Sequence, residues 1–258
     1  MARKKSTEEE RQYYIAKRNE LIRRSRYNLT LQQKRMILYA ISRIKPEDSK
    51  DKVYEIDIKD YCKVCGLSAD SGYYYQVLRD NLQIIADTSA WIIDENGKHI
   101  LFRWFNDVEV EPNSSKMYVS FHKTVADYLF NLENNYTLYS FYYILTLRSN
   151  YSLDLYEEMA SYRHMDKRTE HYYPLEELKE KLNATNYTRF DNFETRVLKK
   201  AIEEINNQTD LFVAYKKVRE GNKSTGKVIG ITFYVSDEMV FFGTKRIANI
   251  EYRLSGGK

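Results

Sequence analysis

Thr195, Arg196, Lys199 and Lys200 are spaced so that a helix would gather them on one face. A guanidinium, a hydroxyl and two ammonium groups held together suit the recognition of a nucleic-acid duplex. Arginine bonds guanine in bidentate fashion, which discriminates bases by roughly 1–3 kcal/mol, and Arg196 is the candidate for that role. Lysine positions a duplex through its phosphates without reading it. Downstream, the stretch LFVAYKKVREGNKSTGKVIGITFYVS reads as a β-hairpin whose tip region carries Lys216, Lys217, Arg219, Lys223 and Lys227. Such a loop is suited to lie across a phosphate backbone, and its contacts would be salt-sensitive.

Other chemistries are suggested by spacing and fail on context. GNKSTGK, ending at Lys227, matches a phosphate-binding P-loop except that Val228 stands where Ser or Thr would hold magnesium. A P-loop also opens a helix, whereas VIGITFYV reads as a strand. Cys62 and Cys65 form a lone CxxC with no second pair, so small apolar side chains in a core are expected rather than zinc. His99, His122, His164 and His171 are scattered, with no His-x-His pair to hold the metal of a tyrosine nicking site. The many tyrosines, Tyr13-Tyr14, Tyr73-Tyr74-Tyr75 and Tyr142-Tyr143 among them, read as core and boundary residues. No Ser, His, Asp arrangement can be assembled, and neither cofactor nor metal is expected.

The helix that must present the cationic face is FDNFETRVLKKAIEEINNQT. Phe193, Val197, Ala201 and Ile205 fall four apart on one side, widened by Leu198 and Ile202, and should be buried. Asp191 and Glu194 have capping-box spacing, which would start the helix there. Basic groups come early on the exposed side and Glu203 and Glu204 come late, the order a duplex would tolerate at a recognition helix.

Further back, the first forty-odd residues read as helix, with Leu31, Met36, Ile37, Ala40, Ile41 and Ile44 at near-helical spacing before Pro46. A strand YEIDI, a short helix stopped at Gly66 and a helix over 72–87 follow. Two strands, 90–93 and 100–105, are joined by Asn96-Gly97, a hairpin signal. Helix, helix, hairpin is the order of a winged helix. The second half repeats it at an offset of 120 positions: Leu78 opposite Leu198, Leu82 opposite Ile202, Ile85 opposite Ile205, Cys62 opposite Leu182, and Arg79 opposite Lys199. Helical segments are expected over 123–131, 137–148 and 153–162, with Asn134-Asn135 and Ser149-Asn150 as candidate hinges. The fold class is therefore α+β: two tandem winged-helix (helix-turn-helix) domains related by internal duplication, over residues 1–130 and 131–258.

A chain of 258 residues that is 43% hydrophobic can build two such cores. Its 41 basic against 37 acidic residues leave a net charge of only +4, too little to name a partner without the local clustering above. No apolar run approaches a membrane span, MARKKSTEEE has no signal core, and two cysteines are too few for a disulfide framework, so a cytoplasmic protein is expected.

Three stretches, NELIRRSRYNLTLQQKRMILYAISRI, LRSNYSLDLYEEMASYR and FETRVLKKAIEEINNQTDLFV, resemble the replication initiators of theta-replicating, iteron-containing plasmids, over about residues 19–236. The resemblance implies that the C-terminal domain reads directly repeated origin DNA through Arg189, Asn192, Thr195, Arg196, Lys199 and Lys200. Glu194 departs from the more arginine-rich helix start of some members. The N-terminal domain would support dimerisation and add DNA contacts, here from Gln76 and Arg79. Monomers would open the origin and recruit host replication proteins, while dimers would repress their own gene at an inverted repeat. A winged-helix transcriptional repressor and a nicking initiator stand as alternatives.

Overall fold

The computed structural model describes residues 13–67, 72–94, 96–111, 114–163, 170–222 and 226–237. The chain divides into two compact units, Met1–Leu145 and Thr146–Lys258.

The first unit opens with β1 (Tyr14–Arg18), α1 (Asn19–Arg24), β2 (Ser25–Arg26) and α2 (Leu31–Ile41). The helix expected over the first forty-odd residues is found only as α1 and α2, with the strands β1 and β2 breaking the span, and residues 1–12 lie outside the described residues. Before them Ile15 and Lys17 are buried and their neighbours are not, a period of two that makes a strand. Its partner is β8 (Tyr136–Ser140), paired antiparallel from far along the chain. Thr30 starts α2 by reciprocal capping: the Gln33 N–H donates to Thr30 Oγ1 at 3.3 Å, and the Thr30 N–H donates to Gln33 Oε1 at 2.9 Å.

β3 (Val53–Asp57), α3 (Ile58–Val64) and α4 (Gly72–Asp87) follow, then the hairpin of β4 (Ser89–Ile93) and β5 (His99–Arg103). Asp57 caps α3 by accepting from the N–H groups of Lys59 and Asp60. Gly66, at φ 65°, ends it in the left-handed conformation, and the Leu67 N–H returns 2.8 Å to the Cys62 carbonyl. Cys62 is fully buried, as expected of a core residue, and burial pushes the Cys65 thiol up to about 11. The hairpin turn is held by Asp94, whose carboxylate accepts from Asn96 and Lys98 at 2.8 Å each, with Gly97 at φ 77°.

Beyond it lie β6 (Phe105–Val110), β7 (Lys116–Phe121), α5 (Lys123–Ala126), β8 and α6 (Phe141–Thr146). The strands form three sheets, β2-β4-β5, β3-β7-β6 and β1-β8. Two sequence expectations are corrected here. The helix expected over 123–131 is only one turn, and the one expected over 137–148 begins as a strand whose exposed and buried residues alternate. The pairing of β8 with β1 also carries the first unit past 130 to Leu145. The two candidate hinges are element boundaries: Asn135, at φ 55°, leads into β8, and Ser149 caps the next helix.

The second unit runs α7 (Asn150–Ala160), β9 (His171–Pro174), α8 (Leu175–Lys181), α9 (190–208), β10 (Leu211–Arg219) and β11 (Val228–Asp237), with sheet order β10-β11-β9. Helix, strand, helix, long helix and two-stranded wing make a winged helix. The offset of the sequence repeat holds for the helices: α2 and α7, and α4 and α9, lie about 120 positions apart. The sheets break the repeat. In the second unit the strand before the short helix, β9, joins the wing, whereas in the first its counterpart β3 pairs with β7.

A buried polar cluster ties α7, β9 and α8 together. Lys181 Nζ lies 2.7 Å from Glu158 Oε2, and both side chains are almost wholly buried. The Tyr173 hydroxyl donates to the other Glu158 oxygen and sits 2.7 Å from the Tyr162 hydroxyl, while the Tyr162 ring stacks on His171. Burial first, then the Glu158 charge, push the Tyr173 hydroxyl far up. Removing one partner leaves a bare buried charge, which costs roughly 3–5 kcal/mol, whereas an apolar pair is close to neutral. Lys181→Met is therefore expected to lower the urea midpoint strongly, and Glu158→Leu added to it to recover most of the loss. Equal losses in the single and double variants would show that the pair's charge is not what matters.

Candidate nucleic-acid interface

The long helix of the second unit is continuous but not uniform. It begins as Phe190–Phe193, passes through a π-turn at Glu194–Leu198 and continues as Lys199–Gln208. In the π-turn the Lys199 N–H donates to the Glu194 carbonyl, five residues back. Phe193, Val197, Leu198, Ala201 and Ile205 are completely buried and Ile202 nearly so, as their spacing predicts.

The cap differs from expectation. Arg189 is the N-cap residue and makes no side-chain cap, and Asp191 lies within the first turn, 3.8 Å from the Arg189 guanidinium, with both side chains exposed. Glu194 is no capping partner but is buried against the wing. Its carboxylate accepts from the Tyr215 hydroxyl at 2.6 Å and from Lys217 Nζ at 2.8 Å, so β10 is tied to the helix at mid-height. Burial pushes the Glu194 carboxyl up, but hydrogen bonds from Lys217 and Tyr215, with the charges of Lys217 and Lys199, hold it below the ordinary value. Burial, and then the Glu194 carboxylate, push the Tyr215 hydroxyl up. Lys217 also lies 5.3 Å over the Phe190 ring.

At the end of the helix Asn206 clamps β10 in both directions, donating to the Val213 carbonyl at 2.9 Å and accepting from its N–H at 2.7 Å. Asp210 joins α7 to the start of the wing by accepting from Tyr156 at 3.0 Å and pairing with Arg163 at 2.5 Å. The long helix and the wing are thus joined at two heights by polar contacts, and the turn between them is tied to Tyr156 and Arg163.

On the outer side of α9, Arg189, Asn192, Thr195, Arg196, Lys199 and Lys200 are all exposed. The wing lysines separate. Lys217 is engaged by Glu194 and serves the fold, a correction to its reading as a free phosphate contact. Lys216, next to it on the strand, stands on the other face of β10 and is exposed; Lys227 is exposed at the tip. Arg219 donates to the Gly226 carbonyl at 2.6 Å and closes the hairpin. Lys223 lies outside the described residues. The P-loop-like segment sits between two strands, β10 and β11, so the helix that a P-loop would open is not there. In the first unit Gln76 and Arg79 are exposed on α4, with Gln76 donating to Asp80 at 2.7 Å. Among the described residues no cluster of three or more His, Cys, Asp or Glu is placed to hold a metal, and no helix is long and apolar enough to cross a membrane.

Comparison with known families gives two matches, in chain order. Residues 14–160 match the family described as Initiator Replication protein, WH1, and residues 174–235 match Initiator Rep protein, WH2. The chain belongs to the initiator replication protein family. The first match reaches through α7, which by its contacts packs in the second unit. Among solved structures, this initiator is similar to the Pi initiator protein, crystallised in complex with iteron DNA: 20% identity over 88% of this chain and 99% of that one, with a TM-score of 0.70. Domains 2 and 3 of RctB align at 16% identity over 82% of this chain and 85% of that one, with a TM-score of 0.43. A WH1 domain of a replication protein isolated from a multiple sclerosis patient aligns at 21% identity over 39% of this chain and 79% of that one, with a TM-score of 0.30. Both units of the initiator are winged helices.

Sequence reasoning placed the initiator's exposed cationic face and missed the contacts that aim it. The signal for the π-turn was present in the strict spacing of four between Phe193, Val197, Ala201 and Ile205, which a regular helix cannot keep on one line. A carboxylate whose value is held down in the folded state stabilises the fold above its ordinary value of 4.5, and loses that contribution as pH falls through the folded value. Glu194→Gln should therefore cost roughly 1–3 kcal/mol in urea unfolding at pH 7, with the deficit shrinking as the pH drops below about 4.5. A deficit constant between neutral and acid pH would detach the carboxylate's charge from the stability of the wing.

Proposed function

We propose that this chain is a plasmid replication initiator that binds directly repeated sites in double-stranded origin DNA and opens the adjoining segment by binding free energy, without catalysis. The observation that carries the reading is the exposed row Arg189, Asn192, Thr195, Arg196, Lys199 and Lys200 on a helix pinned to a wing, in a chain of the initiator family. A relative of similar fold, the Pi initiator protein, was solved in complex with iteron DNA. The early turns of α9 enter the major groove, with Arg196 as the base reader and Lys199, Lys200 and Lys227 against phosphates. Several copies bound side by side strain a neighbouring A·T-rich segment, so binding energy is converted into deformation of DNA. Host replication proteins are then recruited to the opened strands in the cytoplasm. Self-association through the first unit would give a dimer that represses its own gene at an inverted repeat, with Gln76 and Arg79 as auxiliary contacts.

Footprinting on the DNA flanking the gene tests the reading. Tandem protected repeats spaced by helical turns support it, whereas one protected palindrome supports a simple repressor and strand cleavage supports a nicking enzyme. Arg196→Ala is expected to lower affinity for the protected site by roughly 5- to 150-fold while sparing random duplex, since a lost bidentate contact is worth about 1–3 kcal/mol. Equal losses on both DNAs would take Arg196 off the bases. With about 6 phosphates neutralised, the slope of log affinity against log salt should be roughly −5. Lys227→Ala should flatten it by about 1, and an unchanged slope would remove the wing tip from the backbone.

A further inference from the structure

Buried and exposed residues of α9 alternate in pairs at a period of four. Phe193 and Glu194, Val197 and Leu198, and Ala201 and Ile202 are buried, while Asp191 and Asn192, Thr195 and Arg196, and Lys199 and Lys200 are exposed. A regular helix cannot hold that pattern. At 3.6 residues per turn each step of four overshoots by roughly 40°, so Asn192 and Lys200 would diverge by about 80°. The first unit shows the ordinary solution: α4 buries Leu78, Leu82 and Ile85 at steps of four and three, in unbroken α-helix. In α9 the π-turn takes more residues per revolution and absorbs the overshoot at the centre of the exposed row. Its hydrogen bond ends on the carbonyl of Glu194, the same residue whose side chain is held by Tyr215 and Lys217 of the wing.

We propose that the π-turn, held by the contacts of Glu194 with Tyr215 and Lys217, sets the register of the DNA-reading face. It aligns Arg189 and Asn192 before the turn with Arg196, Lys199 and Lys200 after it, and Glu194 is a positioning residue that touches no base. The wing then acts on base choice as well as on phosphates, because it grips the helix where its winding changes. This inference rests on the DNA-reading role proposed above and adds that the two halves of the row are phased by a device that can be released.

The test is selection of preferred sites from a randomised duplex pool by the full chain, followed by affinity measurements on single-base variants of the selected site. In wild type each directly read base should be preferred by roughly 5- to 150-fold. In Glu194→Ala the preference should collapse to near parity at the positions read from one side of the turn and persist on the other. Glu194→Gln, whose amide oxygen still accepts from Tyr215 while its NH2 cannot accept from Lys217, should restore only part of it. A merely structural role would lower affinity evenly across the site and leave the ranking of bases intact. The Tyr215→Phe, Lys217→Met double variant releases the same lock from the strand side and should give the same one-sided collapse, so it carries the test if Glu194→Ala does not fold. Folded variants that keep the wild-type preference at every position overturn the register device and leave the DNA reading standing. A wild-type chain that selects no site overturns both.

Discussion

A carboxylate buried in the flank of the long helix must be satisfied, and the hydrogen bonds that satisfy Glu194 come from Tyr215 and Lys217 of the wing. Tyr215 and Lys217 reach it from alternate positions of one strand, so the strand cannot slide by a residue without presenting the wrong face. That constraint fixes the height of the hairpin against the helix. With Asn206 clamping the strand near its start and Asp210 tied to α7 before it, the wing is held along its length by polar contacts whose geometry admits one register. An apolar contact alone would hold the two together but tolerate small shifts. A surface that reads base edges needs the narrower tolerance.

The same logic explains the polar residues of the YEEMASYR stretch. Tyr156, Glu158, Tyr162 and Arg163 face inward and are spent on Asp210, Lys181, Tyr173 and His171. They join the first helix of the winged helix to its strand, its short helix and its wing. Buried charges of this kind add little net stability once satisfied, but each is costly to leave unpaired. Their value is in excluding other packings of α7, which leaves the short turn before α9 and the helix itself in one position.

Much of this was legible in the chain. The buried face of α9, the exposed cations, the span of α4, the stop at Gly66 and the Asn96-Gly97 turn each follow from local periodicity or turn chemistry, which need only neighbouring residues. What escaped depends on partners distant in sequence. The strand Tyr14–Arg18 is defined by its pairing with Tyr136–Ser140, and neither segment announces the other. Glu194 three residues after Asp191 has the spacing of a cap, and only the position of Tyr215 and Lys217 reveals its use. Lys217 looked like one more surface lysine for the same reason. The sheet around β3 departs from the repeat because β3 pairs with β7, which follows in the first unit and has no counterpart among the described residues of the second.

The difference between the two long helices bears on how the units divide their work. Among the described side chains of α4 the exposed ones are Gln76, Arg79, Asp80, Gln83, Ile84 and Asp87, so Arg79 is flanked by acids and an apolar side chain. Facing a phosphate-lined groove, Asp80 and Asp87 would repel as much as Arg79 attracts, and Gln76 is already engaged with Asp80. On α9 three cations, with Arg189 at the N-cap, precede Glu203, and of the exposed acids only Asp191 lies at the early end, beside Arg189. Two helices alike in span and core therefore present opposite electrostatics. Direct base readout belongs to the second unit on this reading, and the first is left to the auxiliary role that its mixed surface allows.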